Sequence, residues 1–172
     1  TVTATQVVSE PWQAEQKSVG TLRAATGADL AFDVSGIVTE AKVKSGAEVG
    51  EGQTLVELNA DDLIAERRRL EANADMLKVD LERAREQLSY KGISRAEFGR
   101  AEASFKAAEA SVSQQQALID KRRLRAPFSG RVGIVSLTPG SYVNAGTAVL
   151  TLQQLDPIMV DINVPQVQLG EI

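Results

Sequence analysis

Residues 35–58 read SGIVTEAKVKSGAEVGEGQTLVEL, and residues 129–152 read SGRVGIVSLTPGSYVNAGTAVLTL. The two stretches superpose without a gap at a constant offset of 94 residues. Ser35/Ser129, Gly36/Gly130, Val38/Val132, Gly46/Gly140, Val49/Val143, Gly52/Gly146 and Leu58/Leu152 are identical pairs. Val43/Leu137 and Leu55/Val149 are conservative ones. Glycines and apolar positions held in one register mark an internal duplication. Within each copy, short apolar runs such as Ile37-Val38 and Leu55-Val56-Glu57-Leu58 are strand-like and are punctuated by glycine. Gly46 and Gly140 fall where the chain must reverse, which predicts a positive φ that glycine adopts without a Cβ clash. Gly52 and Gly146 follow valines predicted to point into a core. Each copy is therefore half of a small β-sandwich. Neither half can bury its apolar face alone, so the halves are expected to pair.

Some sixty residues of different character separate the copies. From Asp61 to about Tyr90 there is neither proline nor glycine, and Ala, Leu, Glu, Arg and Lys dominate. Steps of four and three select Leu63, Arg67, Leu70, Ala74, Leu77, Leu81, Ala84 and Leu88, then Phe98, Ala101, Phe105, Ala108, Val112, Gln115, Ile119 and Arg122. An apolar repeat of 3.5 residues over four heptads predicts an antiparallel coiled-coil hairpin. At ~1.5 Å per residue, thirty residues give an arm of about 45 Å. Gly92 is placed for a left-handed helix terminus. Ser94 and Glu97 form a capping-box pattern, and Ile93 with Phe98 a hydrophobic staple. Pro127 cannot continue the second helix, so Ala126-Pro127-Phe128-Ser129-Gly130 leads into the second copy.

Composition narrows the function. The chain of 172 residues carries no histidine and no cysteine. Ser–His–Asp chemistry, thiolate nucleophiles and zinc clusters are thereby excluded. A net charge of −4 argues against a nucleic-acid-binding surface. Neither a Walker A sequence nor a dinucleotide fingerprint is present. Asp61 and Asp62 are placed to favour a helix N-terminus rather than to form a catalytic pair. The reading is of a non-enzymatic protein with no cofactor and no metal. No apolar run approaches the roughly 20 residues of a membrane span. Thr1 opens onto strand-like sequence instead of a signal peptide, so a soluble chain, or one separated from its anchor, is expected.

The split repeat resembles the lipoyl/biotinyl-type flattened barrel. The ordered set Leu124-Arg125-Ala126-Pro127-Phe128-Ser129-Gly130-Arg131-Val132, Pro139-Gly140, Val143-x-x-Gly146 and Leu155-Asp156-Pro157-Ile158-Met159-Val160 is similar to that of periplasmic adaptors, or membrane fusion proteins. Val34-Ser35-Gly36-Ile37-Val38, Ser45-Gly46 and Val49-Gly50-Glu51-Gly52 supply the first-half counterparts. The resemblance implies a mixed β and α fold. A lipoyl-like domain of residues 26–60 and 123–155 is interrupted by an α-helical hairpin of residues 61–122. Residues 1–25 would be a membrane-proximal strand and first β-barrel segment, and residues 156–172 a returning barrel strand. Ile158, Val160, Ile162 and Val164 alternate with Met159, Asp161 and Asn163, the pattern of a half-buried strand.

The same resemblance implies a periplasmic protein attached to the inner membrane of a Gram-negative bacterium. Its partners would be an inner-membrane efflux transporter, an outer-membrane channel and further copies of itself in a ring, with no nucleic acid. The LDPI run looks like that of adaptors serving proton-driven resistance–nodulation–division transporters. In the family, the hairpin tip engages the channel, which points to Arg83, Arg85, Leu88, Lys91, Ile93 and Ser94. Capping, seam packing and a solvated helix face explain several of these residues equally well. Two alternatives stand beside this reading, an adaptor for an ABC-type exporter and an enzyme-linked carrier domain. A carrier needs a modifiable lysine at the turn joining the halves, whereas Lys42 and Lys44 are expected inside a strand.

Overall fold

The computed structural model describes residues 19–162. Three short strands, β2 (Gly36–Ala41), β3 (Glu48–Val49) and β4 (Thr54–Leu58), form the first copy of the repeat. The second copy contains β6 (Gly130–Val132), β7 (Tyr142–Val143) and the long β8 (Ala148–Ile162). β1 (Gly20–Ala31) precedes the first copy and β5 (Arg123–Arg125) the second. Between them lie helices α1 (Asp61–Ser89) and α2 (Arg95–Asp120).

Two four-stranded sheets result, ordered β1-β8-β6-β3 and β5-β4-β2-β7. Each copy lends its two-residue strand to the other copy's sheet. The pairing repeats at the sequence offset: Gly36 opposes Val143 as Gly130 opposes Val49. Likewise Val38 opposes Leu58 as Val132 opposes Leu152, and Val56 opposes Leu124 as Leu150 opposes Leu30. The turns follow suit. Gly46 N donates to Val132 O at 2.9 Å and Gly140 N to Val38 O at 2.8 Å. Ser129 Oγ accepts from Glu51 N and Ser35 Oγ from Ala145 N, each at 3.0 Å. Gly46 and Gly140 have φ of 79° and 89°, as expected, and Gly52 and Gly146 are also left-handed. Because these backbone groups find partners only across the repeat, separating the copies would leave donors unsatisfied. Phe32, Val38, Leu55, Val56, Val132 and Leu152 fill the space between the sheets. Lys42 and Lys44 lie beyond β2, in the connection to β3, rather than inside a strand. The β2 ladder stops at Ala41, and Lys42 turns outward to meet Glu57 at 3.2 Å.

The helices pack against each other through the predicted seam. Ala74 and Leu81 of α1 and Ala108, Gln115 and Ile119 of α2 are buried on it, and the other seam residues are half-buried. The polar interruption is met in part at the base of the pair, where Arg67 Nε is buried without a hydrogen bond but lies 3.3 Å from Glu71 Oε1. Arg67 Nη1 donates to Gln116 Oε1 at 2.6 Å, and Gln115 Nε2 donates to Leu63 O at 3.1 Å. A polar contact between facing helices specifies register as apolar packing cannot.

At the other end, β1 and β8 run on together as a two-stranded ribbon to Gly20 opposite Ile162. The register shifts between Ala24 and Thr26, so that Leu155, Asp156 and Pro157 stand across from Ala25 alone. Such a bulge bends a ladder and increases its twist. Beyond it the expected half-burial fails. Ile158, Val160 and Ile162 are each about half exposed, and so is Met159 on the opposite face. Among the described residues the ribbon has two strands and no third layer on which to bury either face. The expectations for residues 1–18 and 163–172 lie outside the described residues.

The topology fixes where the two extensions project. Ala31, Phe32 and Asp33, at the end of β1, line one cavity with Ala117, Asp120 and Lys121, at the end of α2. β1 thus finishes at the base of the helices and begins eleven residues away at the ribbon end, about 36 Å along the strand at ~3.3 Å per residue. Helix pair and ribbon leave the sandwich at opposite ends.

Candidate partner-binding site

The turn at the far end of the helices is built by hydrogen bonds on both sides. α1 ends at the cap residue Tyr90. Lys91 N donates to Leu88 O at 3.0 Å, and Gly92 N donates to Gln87 O at 2.8 Å. These are the two bonds of a Schellman terminus. The left-handed residue is Lys91, with φ of 58°, and not Gly92. Gly92 instead lies one position later, where a Cβ would stand 3.3 Å from Gln87 O. The terminus comes one residue earlier than the position of glycine suggests, because α1 stops at Ser89 and the cap follows directly.

α2 opens on the predicted capping box. Glu97 N donates to Ser94 Oγ at 3.2 Å, and Ser94 N donates to Glu97 Oε2 at 2.8 Å. That bond from the Ser94 backbone, with the Ser94 hydroxyl next in importance, holds the Glu97 carboxyl below the ordinary carboxylate range. Ile93 and Phe98 are half-buried beside it. A turn closed in this way presents its side chains from a fixed frame.

Lys91 and Ser94 are exposed at this tip, and Leu88 is half-buried in the seam. Arg83 and Arg85 are exposed on α1, a turn or two below it. Arg83 Nη1 is 3.2 Å from Asp80 Oδ1. Arg85 lends its charge to Glu102 on α2, whose carboxyl is held low first by its bond to Lys106. Neither arginine is committed to a buried partner. Tyr90, a tip residue by sequence but not among the expected contact residues, is 80% exposed there. It follows Leu88 off the four–three seam, and that departure was its only signal.

Lysine in the left-handed region carries a steric cost of about 1–2 kcal/mol, which glycine avoids. Glycine adds back about 0.5–1 kcal/mol of backbone entropy. Lys91→Gly is therefore expected to stabilise the tip by about 0.5–1 kcal/mol, read as slower amide exchange in the last turn of α1. Gly92→Ala should not help. Faster exchange in Lys91→Gly would contradict the assigned terminus.

Residues 27–155 match the family described as RND MFP, barrel-sandwich hybrid domain. The chain belongs to the RND membrane fusion protein family. An uncharacterized protein of Haemophilus influenzae is 31% identical over 171 residues, covering 99% of this chain and 45% of its own length. The antibiotic efflux pump periplasmic linker protein ArpA of Pseudomonas putida is 35% identical over 139 residues, 78% of this chain and 37% of its own. The chain thus spans less than half the length of these relatives. Among solved structures, a MacA–MexA chimeric protein containing the Pseudomonas aeruginosa MexA α-hairpin domain superposes with a TM-score of 0.78 at 19% identity. That superposition covers 89% of this chain and 56% of the chimera. In this membrane fusion protein, the sandwich and helix pair described above occupy the region that the barrel-sandwich hybrid description names.

Proposed function

We propose that this protein is a periplasmic adaptor. It would link an inner-membrane efflux transporter, of the proton-driven resistance–nodulation–division type, to an outer-membrane channel for export of small molecules. One observation carries the reading: a small rigid sandwich sends a helix pair from one end and a β-ribbon from the other. That is the geometry of a spacer with two distinct contacts. The helix pair acts as a coiled-coil arm about 43 Å long at ~1.5 Å per residue. Its tip, with Arg83, Arg85, Leu88, Lys91, Ile93 and Ser94 joined by Tyr90, would meet the channel. The ribbon would continue into a β-barrel, with the lipoyl-like domain ending at the Leu155–Pro157 bulge and a membrane-proximal part at the chain ends. Copies are expected side by side around the duct. The names of the relatives as efflux pump linkers support this reading. The carrier alternative fits less well, because the joint between the halves is occupied by residues 61–121 and Lys42 is engaged by Glu57.

Excision tests it. Glu57 opposes Arg123 across β4 and β5, so a two-residue Asn-Gly turn can replace residues 59–121 and close a hairpin between Leu58 and Arg122. The full-length variant should unfold cooperatively, keep its transporter contact by cross-linking, and lose channel capture and export. Retained export with the arm removed would refute the adaptor reading.

A further inference from the structure

Among the described residues, neither helix packs along a strand of the sandwich. The arm is joined through Asn59-Ala60 on one side and Lys121-Arg122 on the other. Leu58 N donates to Arg122 O, and Asn59 N to Ile37 O, each at 2.8 Å. Beside them Ile119 is buried and lines one cavity with Ile64, Leu58 and Thr39, but apolar contact is non-directional and two backbone bonds at a pivot restrain twist poorly. A tilt of ten degrees there would carry the end of an arm this long by about 7 Å. Something else must hold the angle.

The repeat is broken at this joint. Gly130, in the second copy, is backed by main chain: a Cβ there would meet Gln153 O at 2.5 Å. Gly36, its counterpart, is backed by a side chain. A Cβ on Gly36 would come 2.8 Å from Arg122 Nη1. Arg122 Nη1 lies over the bare Gly36 and donates to Ser35 O at 3.3 Å and to Asn59 O at 3.4 Å. One guanidinium group therefore ties the sandwich before β2 to the strand exit before α1, from the last residue of the α2 exit. The two N–H bonds of this one nitrogen serve the two carbonyls.

We propose that Arg122 is a positioning residue: seated over Gly36, it braces the helix pair and sets the direction in which the arm leaves the sandwich. Its importance to export rests on the adaptor reading, but the brace itself concerns only the arm's direction and is tested without a partner.

The chain has no cysteine, so spin labels can be placed at will. Glu86 near the tip, Asp29 on one sheet and Glu40 on the other are exposed. Cysteines at 86 and 29, or at 86 and 40, report a tilt as opposite changes in two distances by pulsed electron resonance. The parent should give one narrow distribution for each pair. Arg122→Ala should broaden both by several ångströms while thermal unfolding stays cooperative. Gly36→Ala should broaden them too, because the methyl group displaces the guanidinium with the arginine still present. A role confined to stability would lower the melting temperature and leave the widths unchanged. Parent-like widths in Arg122→Ala overturn the proposal. Should that variant not fold, Gly36→Ala decides the matter by the same criterion.

Discussion

Gly130→Ala is expected to lower the melting temperature by about 10 °C, whereas Gly36→Ala, at the matching position of the repeat, should lower it far less. A Cβ at residue 130 would stand 2.5 Å from Gln153 O and 3.0 Å from Gln153 C, which are main-chain atoms of the central strand β8. Main chain in a paired strand cannot step aside, since β8 is held by β1 on one edge and β6 on the other. Overpacking of this kind costs about 1–3 kcal/mol or more. For a chain of this size each kcal/mol is worth about 2–4 °C. At residue 36 the obstructing atoms are Arg122 Nη1 and Leu58 Cδ1, both ends of side chains that can rotate. The two melting curves, measured together, decide the point. Equal losses would mean that the repeat imposes glycine for one shared reason and that close approach of β8 is not it.

The second large effect concerns the tip. Reversing Arg83 and Arg85 to Asp in the full-length protein is expected to abolish export while leaving the fold nearly intact. Arg83 would lose an exposed pair with Asp80, a contact of about 0.2–1 kcal/mol, and gain like-charge repulsion of similar small size. The melting curve should therefore shift by only a few degrees. At a desolvated docking surface the same reversal can cost several kcal/mol of binding. Ser94→Ala is a needed comparison, since removing its cap costs about 1 kcal/mol of helix stability on its own. If the double Asp variant keeps export and channel capture, the arginines are ordinary solvated residues. The docking role would then pass to Tyr90, Lys91 and the backbone of the turn.

The legible parts of the molecule were those governed by local spacing. The apolar seam could be read because a helix repeats its faces every few residues, and each seam residue is withdrawn from solvent in the structure. The capping box could be read because Ser94 and Glu97 satisfy each other within four residues. The duplication announced itself through glycines whose left-handed φ no other residue adopts as cheaply. It extends further back than the sequence revealed, to Leu30/Leu124 and Phe32/Ala126. A phenylalanine opposite an alanine hides a structural equivalence in which backbone hydrogen bonds, not side chains, are alike.

By itself, then, the sequence determined that two half-motifs must pair and that a helix pair divides them, in a stretch without histidine or cysteine. Which strand of one copy enters which sheet of the other was decided only by the tertiary structure. Hydrogen bonds between residues about 90 positions apart leave no periodic trace in the chain. The same holds for Lys91 in place of Gly92 as the left-handed residue, which depends on where α1 runs out. It holds for Ile158, Val160 and Ile162, whose alternation promised a buried face that the two described strands do not supply. It holds most of all for Arg122, a seam position by spacing whose guanidinium turns off the helix onto two backbone carbonyls. That turn is possible only because Gly36, eighty-six residues earlier, has no side chain to stand in the way.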